Sequence, residues 1–73
     1  MNNEYQNRLD YQKRIVEEKK ELDSKIKDLD LFFKEYVYLS LITPDKLRVR
    51  QQRTVMKEYS DILGGLIRNF SQY

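Results

Sequence analysis

The sequence predicts an all-α protein, a helical hairpin of two long helices with a short N-terminal segment, assembling into a homo-oligomer. Three observations carry this reading. Ile15, Leu22, Leu29 and Tyr36 recur every seven residues, and Ile26 and Phe33 follow Leu22 and Leu29 by four. That is the period of a helix seam, whereas a half-buried strand would alternate every second residue. Val49, Met56, Leu63 and Phe70 repeat the same step in the second half, and Thr43-Pro44-Asp45 stands between the two patterns.

Taken in order, residues 1–9 form a short polar segment, with Asn2 or Asn3 opening a turn or helix around Glu4 to Leu9. A helix then spans 10–37, with Asp10 as a candidate cap. The pattern lapses over residues 38–43, read as the turn. Thr43 is a candidate N-cap, Pro44 suits a first helical position that needs no N–H, and Asp45 places an anion at the positive helix end. The second helix spans 44–71, with Tyr59, Leu66 and Tyr73 as a companion apolar row. Gly64-Gly65 interrupts it at a cost of about 1 kcal/mol per residue against alanine, which points to a bend or a close helix contact. Residues 1–73 make one helical domain.

Size argues for partners. A chain of 73 residues buries little surface on its own and leans on staples or on oligomerisation. The sequence has neither cysteine nor histidine, so it can hold no disulfide and no conventional zinc set. Phe32, Tyr38, Leu39, Leu41 and Ile42 gather around the turn, too many apolar side chains for a hairpin tip in water. Such patches mark interfaces.

The same composition argues against catalysis. The commonest general base and the softest nucleophile are both missing, and carboxylates such as Glu17, Glu18, Glu21 and Asp28 lie among lysines on a wet helix. Nothing there would raise a carboxylate pKa. No glycine-rich loop precedes a helix, so no cofactor and no metal is expected. The polar start MNNEYQNRLD is no secretory signal, and no apolar run reaches the roughly 18 residues of a membrane span. A soluble, intracellular chain is expected.

Two clusters could bind a ligand. Lys46, Arg50, Arg53 and Lys57 fall within about 60° on a helical wheel, with no acidic residue between positions 46 and 57. They are either a solvated face neutralised by acids of the first helix or a phosphate-binding strip, for which the arginine fork is suited. Net charge is only +2, so a duplex-DNA footprint is not expected. Tyr5, Tyr11, Phe70 and Tyr73 gather near the open end, as core packing or as a platform on which a base can stack.

A resemblance sharpens the choice. The string Tyr11-Gln12-Lys13-Arg14-Ile15-Val16-Glu17-Glu18-Lys19, then Glu21-Leu22, Lys25, Leu29 and Phe33, resembles the small helical phage proteins of the anti-CBASS cyclic-oligonucleotide sponge family. The tail agrees at Gln52, Met56, Tyr59-Ser60, Ile62-Leu63, Ile67 and Phe70. The resemblance implies a homo-oligomer, a hexamer, that sequesters cyclic nucleotide signals of bacterial defence without cleaving them, in the cytoplasm of the infected host. It implies that Tyr11 stacks on a base of a cyclic dinucleotide and Lys25 meets its phosphate, with Gln12 and Arg14 beside them. Fourteen helical residues separate Tyr11 from Lys25 by about 21 Å, so they share a pocket only across a subunit boundary or a broken helix. The tail departs at Gly65-Leu66-Ile67, where Leu66 replaces an arginine that is the candidate for the family's second, trinucleotide site. Arg68 faces about 200° away from that position.

Overall fold

The computed structural model describes residues 3–72. Helix α1 runs Asn3–Phe32, a short α2 covers Tyr36–Leu39, α3 runs Thr43–Arg68, and a 3-10 turn, Phe70–Gln72, closes the chain. The two long helices pack antiparallel into a rod of 58 × 15 × 15 Å. The fold is the expected all-α hairpin, and no strand occurs among the described residues.

Helix α1 differs from the expected 10–37 at both ends. It already includes Asn3, with no break before Asp10, so residues 3–9 are not a separate segment. No proline or glycine interrupts positions 3–10, and the Gln6 amide donates to the Asp10 carboxylate at 3.1 Å. That i,i+4 pair supports the helix through Asp10, which therefore caps nothing. Asn2 and Tyr73, named above as starter and companion residues, lie outside the described residues.

At the other end α1 stops at Phe32, five residues early. The backbone tightens as the Lys34 and Glu35 amides donate to the Leu31 and Phe32 carbonyls at 3.0 and 2.9 Å. The cause is Tyr38, which folds back beneath the helix end. Its ring meets Phe33 and Phe32 edge-on, with centroids 5.0 and 5.8 Å apart. Its hydroxyl accepts from Arg50 Nε at 3.0 Å. Tyr38 is thereby buried, and Tyr36, expected to continue the seam, is left in solvent.

Helix α3 starts at Thr43, with Ile42 as N-cap and no side-chain cap. The Asp45 and Lys46 amides both donate to the Ile42 carbonyl. Thr43 is therefore the first helical residue and not the cap, and Pro44 follows it. Asp45 still supplies the first-turn anion, and Arg48 engages it at 2.9 Å.

A three-four alternation of buried or half-buried positions runs along both sides of the hairpin. It comprises Gln12, Ile15, Lys19, Leu22, Ile26, Leu29 and Phe33 on one side, and Lys46, Val49, Arg53, Met56, Ser60, Leu63, Ile67 and Phe70 on the other, with Phe32, Asp45, Gly64 and Gly65 half-buried beside it. That is coiled-coil packing. The expected row of Tyr59 and Leu66 is not part of it, because both are exposed. The true companions of Val49, Met56 and Leu63 lie four residues later, at Arg53, Ser60 and Ile67. A heptad seam needs alternating steps of three and four, and hydrophobicity alone favoured the wrong step.

Candidate functional site

The antiparallel register sets which residues can meet. Tyr11 lies against Phe70, with ring centroids 6.1 Å apart and planes at 63°. The Tyr59 hydroxyl donates to Glu18 Oε1 at 2.5 Å, and Arg53 forks onto Asp30 with Nε–Oδ1 and Nη2–Oδ2 distances of 2.9 and 3.3 Å. These pairs run in opposite order along the two helices, so one antiparallel register holds from end to end.

Tyr11 and Lys25 share one edge of α1, about 40° apart around the axis, but the helix between them is unbroken. Tyr11 keeps 37% of its surface exposed at the open end of the hairpin. Lys25 lines a groove of about 290 Å³ with Asp28, Leu29, Phe32, Gln52 and Met56. No side-chain hydrogen bond or ion pair is found for Lys25 among the described residues. Within one chain, then, the base-stacking candidate and the phosphate candidate stay about 21 Å apart along α1. Gln12 occupies a seam position before Ile15 and is half-buried. Arg14 lies about 20° from Lys25 on the same edge of α1, in a hollow of about 590 Å³ lined also by Asn7, Asp10, Lys13 and Glu17. Three of the four residues expected at one site thus share an edge of α1, spread along its length, and Gln12 is turned into the seam.

The basic strip is answered mostly from within the chain. Arg53 is half-buried under Asp30, Lys57 pairs with Asp61 at 2.8 Å, and Arg50 holds the Tyr38 hydroxyl. The Arg53 hydrogen bond and charge hold the Asp30 carboxyl below its ordinary value of 3.8, and Asp30 in turn raises the Arg53 guanidinium.

A polar layer inside the seam went unseen in the sequence. Lys19 Nζ donates to Asp23 Oδ2 at 2.8 Å and to Ser60 Oγ at 2.9 Å, and Ser60 Oγ donates to Asp23 Oδ1. Ser60 is only 1% exposed. Hydrogen bonds from Lys19 and Ser60 lower the Asp23 pKa. A methyl placed on Gly64 would lie 3.4 Å from Lys19 Cε, an ordinary van der Waals contact, so the layer does not require a glycine there. Helix α3 runs through the pair without interruption, and neither glycine has a positive φ. The strict three-four phase was the signal that could have placed Lys19 and Ser60 together. On the far side of the pair the Arg68 guanidinium lies over Gly64 and Gly65, where their Cβ atoms would approach it to 3.7 and 3.6 Å.

The family model named Sequestin matches residues 9–65, from the turn of α1 that carries Tyr11 to the glycine pair of α3. This chain belongs to the Sequestin family. No curated protein and no solved structure matches it. The Sequestin match contains Tyr11, Lys25, the basic strip and the polar layer. It takes in nearly all the residues that carry the resemblance to the sponge family, with Ile67 and Phe70 beyond its end. None of the described helices of this Sequestin chain is long and apolar enough to cross a membrane.

Proposed function

We propose that this protein is a phage immune-evasion factor that binds cyclic oligonucleotide signals of bacterial defence and withholds them without chemistry. The family name fits sequestration. The observation that carries the reading is the pairing of an exposed tyrosine at the open end with an uncompensated lysine in a groove, on one edge of one unbroken helix. A base needs an aromatic face and a cyclic phosphate needs a cation, and Tyr11 and Lys25 supply them. Because about 21 Å of helix separates them, a compact cyclic dinucleotide reaches both only where two copies meet. The protein is accordingly a homo-oligomer, a hexamer by the resemblance, working in the cytoplasm of the infected host. It is not an enzyme, and its ligand leaves unchanged.

Duplex DNA is the weaker ligand, because Arg53 and Lys57 are engaged by Asp30 and Asp61. The test is a thermal-shift panel with cyclic di- and trinucleotides, followed by calorimetry and recovery of the bound compound. A ligand at a hundred times its Kd stabilises the folded state by about 2.7 kcal/mol, a readily measured rise in Tm. No shift with any cyclic nucleotide, or recovery of a linearised product, would refute the proposal.

A further inference from the structure

We infer that the outward stripe Val55, Tyr59, Ile62 and Leu66 of α3 is the surface where two copies of this chain join, α3 against α3 and antiparallel. The two-fold axis passes between Tyr59 and Ile62. This deepens the proposed function, taking from it only that copies associate.

The four side chains are between 38% and 61% exposed, and their steps of four, three and four match those of the intrachain seam. They lie about 110° around α3 from that seam, where α1 cannot cover them. The spacing is palindromic. Reversing the helix sets Val55 opposite the partner's Leu66 and Tyr59 opposite the partner's Ile62, which is the self-complementarity that a two-fold contact demands.

Tyr59 is prepared for burial. Its hydroxyl is already committed to Glu18 of its own chain, so covering the ring strands no polar group, and the side chain is held before the partner arrives. Of the flanking positions, Gln51, Gln52 and Asn69 are uncharged, and the charged ones, Arg48 and Glu58, are of opposite sign, so two copies meet without massed like charges. Area agrees as well. The chain exposes 6008 Å², against about 4,900 Å² for a compact monomer of its mass. The excess is above the ~800 Å² that each partner buries in a standard interface.

The arrangement also bears on the ligand. Tyr11 lies at the level of Phe70, and Lys25 at the level of Gln52 and Met56. Reversing α3 about this axis sets Phe70 level with the partner's Gln51 and Gln52. Tyr11 of one copy then stands at the height of the groove that holds the partner's Lys25.

The experiment is sedimentation equilibrium of the full chain without ligand. Ile62→Glu should weaken assembly at least roughly tenfold, the scale of an interface anchor, with helicity by circular dichroism unchanged. Lys20→Glu, at an exposed position on the wet face of α1, should assemble as wild type. If Ile62→Glu misfolds, Ile62→Cys decides. It would be the only cysteine in the chain and should give a disulfide-linked dimer on mild oxidation, where Val37→Cys gives none. A monomeric wild type, an Ile62→Glu chain that assembles normally, or an Ile62→Cys chain that stays uncrosslinked would overturn the inference. Assembly through the stripe with no cyclic-nucleotide binding would refute the proposed function alone, and nucleotide binding with Ile62→Glu assembling normally would refute this inference alone.

Discussion

Lys19 of α1 and Ser60 of α3 meet at 2.9 Å in the middle of the seam, between the apolar residues Leu22, Met56 and Leu63, and Asp23 bonds to both. A polar layer among apolar ones disfavours every register in which its members lose each other, as a single buried polar residue does in coiled coils. Here it holds Tyr11 beside Phe70 and Lys25 beside Met56. Slipping by one helical turn would set Met56 or Leu63 against the lysine.

Ser60→Ala should destabilise the hairpin by about 1 kcal/mol, the net worth of a buried hydrogen bond. The measure is the urea midpoint at pH 7. Lys19→Met with Ser60→Ala replaces both groups by apolar ones and should recover much of the loss, because no seam donor or acceptor is then orphaned. If the double variant is the weakest of the three, the layer supplies stability and not register.

Acid should loosen the fold through Asp23 and Asp30. Both carboxyls titrate below their ordinary 3.8 in the folded chain. Their contribution is therefore complete above that value and disappears as pH falls through the lower folded values. Arg53→Gln should flatten the acid limb of a stability profile below pH 3.8, since Asp30 loses the fork that lowers its pKa. An unchanged limb would mean that solvent already screens the pair.

The two glycines should respond differently to alanine. Helix propensity favours each change by about 1 kcal/mol. At Gly65 a new methyl meets only the flexible Arg68 guanidinium at 3.6 Å, whereas at Gly64 it meets Lys19 Cε at 3.4 Å. That lysine is pinned by two hydrogen bonds. Gly65→Ala should raise Tm, and Gly64→Ala should raise it less. Equal gains would show that the Lys19 stem yields freely.

Tyr11→Ala and Lys25→Ala should each weaken cyclic-dinucleotide binding tenfold or more. The lost stacking is worth about 1–3 kcal/mol per base, and the lost charge-assisted phosphate contact about 1.5–3 kcal/mol. Neither side chain is central to the seam, so folding should survive. In the proposed site the two act from different copies, so co-refolding the single variants should regenerate some intact sites, detectable by calorimetry. Full affinity in Tyr11→Ala would reduce that ring to a packing partner of Phe70.

The sequence by itself determined the hairpin, the phase of most seam residues and the neighbourhood of the turn. Those features depend on periodicity, on Thr43-Pro44-Asp45 and on residues close along the chain. It also set Tyr11 and Lys25 on one helix edge, since angle and rise per residue are properties of any α-helix. Only tertiary structure decided the rest. Helix α1 ended early because Tyr38, a residue beyond it, packed back on Phe32 and Phe33 and found Arg50. Arg53 and Lys19 went inward, despite their charge, because Asp30 and Ser60 faced them from the other helix. Tyr59 and Leu66 stayed outside for the complementary reason: once α1 fixed which stripe of α3 was covered, an equally apolar stripe was left over. Hydrophobicity says which residues prefer burial, but the geometry of the partner helix says which ones obtain it.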